Sequence, residues 1–255
     1  MMSKKFHLGG LLLFFLVPVL SAVWLPPFSQ PQAYHRFADA RAFFGVPNFG
    51  NVASNLAFLW VAWLGLALLR RSRPGAFVST EEQRPYAVFF LGLAATGFGS
   101  AWYHLAPDHA GLFWDRLPMT VCFGALTAAV IMERVDLRLG LAMLAPLVAL
   151  GAGTVCWWRY SDAQGEENVL PYFAFQAVSL LALVVLVPLR PSGYTRSQDL
   201  TAAALLYALA VAAEQLDAAV FAVGQIVSGH TLKHLLAATA IYQIVRMLRE
   251  RERVL

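Results

Sequence analysis

Charge is scarce in this 255-residue chain: Asp, Glu, Lys and Arg make up only 13% of it, against about a quarter of an ordinary soluble domain. Apolar residues reach 59%, so this composition does not supply a water-facing globular surface. Cysteine is nearly absent. Cys122 and Cys156 lie in separate apolar runs and form no CxxC pair, which excludes a disulfide framework and a thiolate metal site. Internal repeats and low-complexity linkers are also missing, which points to one compact bundle. The formal charge of +4 would fit a nucleic-acid binder only if the basic residues clustered on one exposed face. They sit instead between apolar runs, so no nucleic-acid partner is expected.

What the chain has in quantity is apolar length. A span needs about 20 mostly apolar residues to cross a hydrocarbon core of about 30 Å. Eight stretches qualify: 8–25, 50–69, 86–104, 113–132, 139–158, 169–189, 200–221 and 226–245. Helices are expected throughout, because an open sheet in lipid would leave backbone groups unpaired. The fold class is therefore all-α, a polytopic membrane helix bundle.

Alternate connections differ sharply in Lys and Arg, the excess of which marks the cytoplasmic side. With the N-terminus inside, the inner side holds Lys4, Lys5, Arg70, Arg71, Arg73, Arg84, Arg134, Arg138, Arg190, Arg196, Arg246, Arg249, Arg251 and Arg253, and the outer side only Arg36, Arg41 and Arg159. Both termini are thus expected in the cytoplasm. The first stretch, "MMSKKFHLGGLLLFFLVPVLSAVW", also reads as a secretory signal, with a basic start, an apolar middle and small residues at a cleavage point. Cleavage would leave seven spans with their orientation unchanged.

Ionisable groups inside a span are costly unless they meet a partner or water, so each is a functional candidate. In "GHTLKH", His230 and His234 are four apart and project from one helical face, a common way to offer two imidazoles to one metal. Two hydrogen-bonded histidines in a helix interface are the alternative, and Lys233 between them is expected to snorkel or pair. In "GFGSAWYHLAPDHAGLFWDRLPM", Ser100 and His104 are again four apart, and Asp115 follows at the start of the next span. The topology places the end of the third span and the starts of the fourth and eighth on the same outer side. His104, His230, His234, Ser100 and Asp115 therefore share one depth, and the topology was obtained without using them.

Three histidines with an open fourth position are a catalytic zinc arrangement, although copper, nickel or iron also accept imidazole. Bound zinc lowers the pKa of its water to about 7. Asp115 is suited to taking that water's proton and passing it to a leaving group, and Ser100 to hydrogen-bonding a developing oxyanion. The alternatives are an ion pair of Asp115 with Arg116 and a packing hydroxyl at Ser100. Glu214 and Asp217, three apart, are read as sharing a face, either orienting a metal-bound imidazole or pairing with Lys233 or Arg116. His109, in a loop, is expected to face water. In "PNFGNVASNLAF", Asn48, Asn51, Ser54 and Asn55 must bond to neighbouring helices or line a cavity.

The motifs SxxxH in "SAWYH", "WDRLPM" eleven residues on, "NVASN" upstream and HxxxH in the last span together resemble the alkaline ceramidases, in the membrane hydrolase superfamily that also holds adiponectin-type receptors. The resemblance runs from about residue 48 to 245. It implies a seven-helix core, a Zn²⁺ held by His104, His230 and His234, and hydrolysis of the ceramide amide to a sphingoid base and a fatty acid. Ser100 would support the oxyanion and Asp115 would handle the water proton. Asp217 matches an acidic position in the penultimate helix, and Ser54 with Asn55 match a serine and an asparagine of the first core helix.

The chain then divides into an N-terminal segment 1–47 with one extra span or signal, a catalytic core 48–245 and a basic tail 246–255. In animal members an acidic N-terminal segment suits calcium. Here that region offers Asp39 and amides such as Asn48, and a Ca²⁺ site so poor in carboxylates is expected to be weak at best. The expected activity is zinc-dependent amide hydrolysis of a membrane lipid, worked from the outer half of the bilayer. A lipid-binding receptor or sensor of the same superfamily, with little turnover, is the alternative. A proton-carrying transporter using Glu214 and Asp217 lacks the inverted repeat such proteins often show.

Overall fold

A computed structural model describes residues 4–72 and 75–254, with side chains from Gly9 onward. Arg73, counted above for orientation, lies outside the described residues, as do the side chains of Lys4, Lys5 and His7. Among the described residues there are helices, two short 3-10 turns and two isolated bridges, but no strand. The helices are α1 (Lys4–Trp24), α2 (Phe49–Ala53), α3 (Leu56–Arg70), α4 (Gln83–Leu105), α5 (His109–Arg134), α6 (Leu137–Ala163), α7 (Leu170–Leu189), α8 (Ser197–Gln215), α9 (Asp217–Ala222) and α10 (Gly229–Glu250). The chain is an all-α bundle of the membrane type.

Helix occupies each of the eight apolar stretches. Among the described residues four helical segments are long and apolar enough to cross a membrane, namely 49–70 (α2 running into α3), α5, α6 and α7, and α1 adds a shorter apolar helix over Gly9–Trp24. These mark a membrane protein. The helix ends follow from local chemistry. Asp136 caps α6 by accepting from the Leu139 amide at 3.0 Å, and Ser228 caps α10 by accepting from Thr231 at 3.1 Å; each satisfies an amide the helix itself cannot.

One expectation fails in the seventh stretch, read as a single helix over 200–221. The α-helix stops at Gln215, Leu216 leaves helical geometry (φ −99°, ψ 22°), and a short helix restarts at Asp217. Glu214 and Asp217 thus flank the break on successive helices, and both carboxylates still reach His230, Glu214 at 3.9 Å from Nδ1 and Asp217 at 2.7 Å from the backbone amide. The physical reason lies in Gly229. A Cβ there would stand 2.1 Å from the Ala213 carbonyl oxygen and 2.6 Å from the Asp217 Cα, so the start of α10 presses directly on this break.

The described chain forms two compact units. One comprises 1–31, 79–89 and 119–192. Its core packs Phe15 and Val19 of α1, Ala128 and Ile131 of α5, Met143 and Leu147 of α6, and Phe175 and Val178 of α7. The other comprises 32–78, 90–118 and 193–255. In it α10 lies against α8 and α3 and touches α2 and α9, and every candidate site residue named above belongs to this unit.

Candidate functional site

The three histidines converge. His104 comes from the last turn of α4, and His230 and His234 from successive turns of α10. Their exposures are 0%, 4% and 2%, and their ring centroids lie 4.8–5.0 Å apart. One ring nitrogen from each falls within 4.8 Å of the other two.

The hydrogen bonding of the rings says which nitrogens are available. Both ring nitrogens of His104 and Nε2 of His230 are buried without a protein partner. Ser54 donates to the Asn51 carbonyl oxygen at 3.0 Å, so at 2.8 Å its Oγ accepts from Nδ1–H of His234. That assignment leaves the lone pair of His234 on Nε2. Buried polar atoms are almost always paired, and three buried imidazoles with unclaimed nitrogens are a donor set that fits a metal ion. The ligand type suits zinc.

Ser100 and Asp115 are brought together by a helix contact. A Cβ at Gly99 would lie 2.1 Å from the Trp114 carbonyl oxygen, so α4 and α5 touch backbone to backbone, as small residues allow between helices in lipid. Ser100 is then hydrogen-bonded to the Asp115 carboxylate, and both are buried.

The remaining polar residues divide by partner. Glu214 Oε1 receives Lys233 Nζ at 2.5 Å and the Tyr34 hydroxyl at 2.9 Å, and lies 3.9 Å from Nδ1 of His230, beyond hydrogen-bond range. Lys233 therefore pairs with Glu214, one of the two alternatives open in the sequence. Asp217 reaches no imidazole: it accepts from the His230 amide at 2.7 Å and the Ala38 amide at 2.8 Å, fixing the start of α10. Asn55 donates to the Asn51 and Val52 carbonyls of its own segment. Asn51 Oδ1 accepts from Thr231 Oγ1 at 2.8 Å, which joins α2 to α10.

Asp39 and Asn48, the residues offered for calcium, both have other partners. Arg41 grips the two carboxylate oxygens of Asp39 through Nε at 2.7 Å and an Nη at 2.8 Å. That Arg41–Asp39 bond holds the Asp39 carboxyl below the usual carboxylate range, and the same guanidinium donates to the Gln225 and Ile226 carbonyls. Asn48 donates to the His104 carbonyl at 2.9 Å.

Sequence reading missed the strap that covers the histidines, residues 32–41. Phe37 places its ring 4.7 Å from that of His104 and 4.8 Å from that of His230. His35 bonds the Tyr103 hydroxyl at 2.9 Å and His109 at 2.7 Å, so His109 joins the strap and is not a member of the triad. Arg116 lies 5.5 Å from the centroid of the Tyr34 ring. The only signal was three aromatic-type side chains, Tyr34, His35 and Phe37, in a connection otherwise read as polar. A boundary at residue 47 thus separates these residues from the site they touch.

No curated protein matches the chain. The family model described as Ceramidase matches residues 45–251, a range that runs from just before α2 through the last turn of α10 and includes every histidine of the triad, Ser100 and Asp115. By that match over most of its length, the chain belongs to the Ceramidase family, the ceramidase-type lipid hydrolases.

Proposed function

We propose that the protein is a zinc-dependent amidase of membrane lipids, cleaving ceramide to a sphingoid base and a fatty acid, with residues 48–245 as its catalytic core. The observation that carries this reading is the set of three buried imidazoles with unclaimed nitrogens beside the Ser100–Asp115 pair. His104, His230 and His234 would hold the ion, which supplies Lewis acidity and brings the pKa of a water to about 7.

The chain's own residues do the rest. Asp115 takes a proton from the water that adds to the amide carbonyl carbon and delivers it to the amide nitrogen. The C–N bond then breaks with a neutral amine leaving and a carboxylic acid remaining. Ser100 holds Asp115 in place at rest and turns its hydroxyl to the oxygen that becomes negative. Ser54 orients the His234 ring through Nδ1, and Asp217 fixes the backbone from which His230 projects. Phe37 covers the histidines with an apolar ring, which keeps bulk water from the reacting amide. Glu214, neutralised by Lys233, stands ready beside His230 without claiming its nitrogen.

The eight helical stretches are assigned as spans with both termini cytoplasmic, which puts the triad toward the outer side. Bound metal and ceramide turnover in the purified full-length protein test the reading, alongside His230→Ala. Expected are metal bound stoichiometrically and turnover that falls with it in the variant. A metal-free wild type, or a variant with undiminished turnover, refutes the proposal; retained metal and bound lipid without released fatty acid would favour a sensor.

A further inference from the structure

We propose a second lipid site, for the phosphate of an anionic phospholipid, at the end of the bundle opposite the triad. A groove of about 300 Å³ lies there, lined by Ala67, Leu68, Arg71 and Ser72 after α3, and by Ala76, Leu248 and Arg249. That volume is at the lower end for small-ligand sites. Its position follows from the helices: Ser54, at the triad, and Arg71 are 17 residues apart along α2 and α3, about 25 Å at 1.5 Å per residue. His230 and Arg249 are separated by a similar length of α10. The groove therefore opens on the other membrane face, the one the arginine count assigns to the cytoplasm, where anionic lipids concentrate.

Charge selects the occupant. Arg71 is exposed and, among the described residues, its side chain has no ion pair. Arg249 is bonded to Glu250 at 3.0 Å, but Arg196 claims the other oxygen of that carboxylate at 3.1 Å. Arg196 and Arg246 also share Asp199, so three guanidiniums face two carboxylates there and, with Arg71, this end of the bundle keeps positive charge. Ala67 and Leu68 give the groove half-buried apolar surface on α3, and Ala76, in the connection after α3, and Leu248 of α10 close it as buried apolar side chains; such a lining suits an acyl chain and not a soluble anion. The carbonyl ends of α3 and α10 oppose an anion. The guanidiniums of Arg71 and Arg249 must therefore carry the site, which makes it breakable by charge removal.

The test is native mass spectrometry of the full-length protein released from nanodiscs of phosphatidylcholine with and without phosphatidylglycerol. Wild type is expected to retain one phosphatidylglycerol in preference to phosphatidylcholine. Arg71→Gln with Arg249→Gln is expected to lose that preference by about 25-fold, roughly fivefold per guanidinium, while Arg71→Lys with Arg249→Lys keeps it. Turnover at the distant triad should be unchanged and reports folding. If the double variant fails to fold, Arg71→Gln alone, at an exposed position, should show the fivefold loss. A wild type indifferent to headgroup, a folded Gln variant that still selects phosphatidylglycerol, or displacement of the lipid by inorganic phosphate alone would each overturn the proposal.

Discussion

Replacing Lys233 by Met keeps an apolar stem of similar length and removes the ammonium that sits 2.5 Å from Glu214. The two side chains are only 17% and 18% exposed, so the carboxylate would be left largely buried with the Tyr34 hydroxyl as its remaining donor. Removing one partner of a buried pair costs about 3–5 kcal/mol. Residual exposure and the Tyr34 bond place this case at the lower end, about 3 kcal/mol, or a fall of about 6–12 °C in Tm for a chain of this size. Adding Glu214→Gln removes the stranded charge while keeping an acceptor for Tyr34, and should recover about 2 kcal/mol of the loss. Thermal unfolding of the four proteins of this cycle in one detergent gives the coupling directly. A Lys233→Met protein as stable as wild type, or a double variant no better than the single, would show that the pair is solvated and that Lys233 merely snorkels.

Other expectations concern the histidines, the helix contact and the strap. Ser54→Ala should weaken metal binding about tenfold, the lower end for loss of an orienting partner, because the Asn51 carbonyl is also within reach of the His234 ring; titration against a competing chelator measures it, and unchanged affinity refutes it. Gly99→Ala forces a Cβ against the Trp114 carbonyl, so α4 and α5 must part and the Ser100–Asp115 bond with them. Turnover should fall by about 10²-fold and stability by about 1–3 kcal/mol, and a variant with wild-type turnover would contradict the contact. The Asp39 carboxyl is held low by the bond to Arg41, so its contribution is present above the unfolded value of about 3.9 and is lost as pH falls through the lower folded one. The protection factor of the Arg41 amide, which donates to Asp39 at 3.1 Å, should stay level from pH 8 down to the unperturbed carboxylate value of about 3.9 and fall only below it; a loss of protection near pH 6 would refute this.

How legible the molecule was depends on whether a feature has a period. Apolar length gave the positions of the helices, because a hydrocarbon core demands about 20 residues whatever the sequence. The triad was legible because His230 and His234 repeat at the helical interval and His104 lies at the same depth by topology. The break at Leu216 was not, since "ALAVAAEQLDAAVFAV" is uniformly helix-forming and the cause is a backbone contact from Gly229, 13 residues away. The partner of Lys233 was narrowed to Glu214 or Asp217 by charge alone; Asp217 is taken by the amides of His230 and Ala38, which leaves Glu214 to pair with it.

The strap shows the limit of such reasoning most clearly. Loop residues carry no period, so composition could report Tyr34, His35 and Phe37 but not their direction. Their placement depends on three long-range bonds: Ala38 to Asp217, Tyr34 to Glu214 and His35 to Tyr103. Each partner lies within a few residues of the triad or of the helix break, so the features that hold the histidines also hold their cover. Closure of the strap and alignment of His230 thus share Asp217, whose two carboxylate oxygens serve one each. A change at Asp217 is therefore bound to disturb the ligand helix and the strap together, whereas a change at Tyr34 takes a donor from Glu214 and one at Phe37 uncovers the His104 and His230 rings.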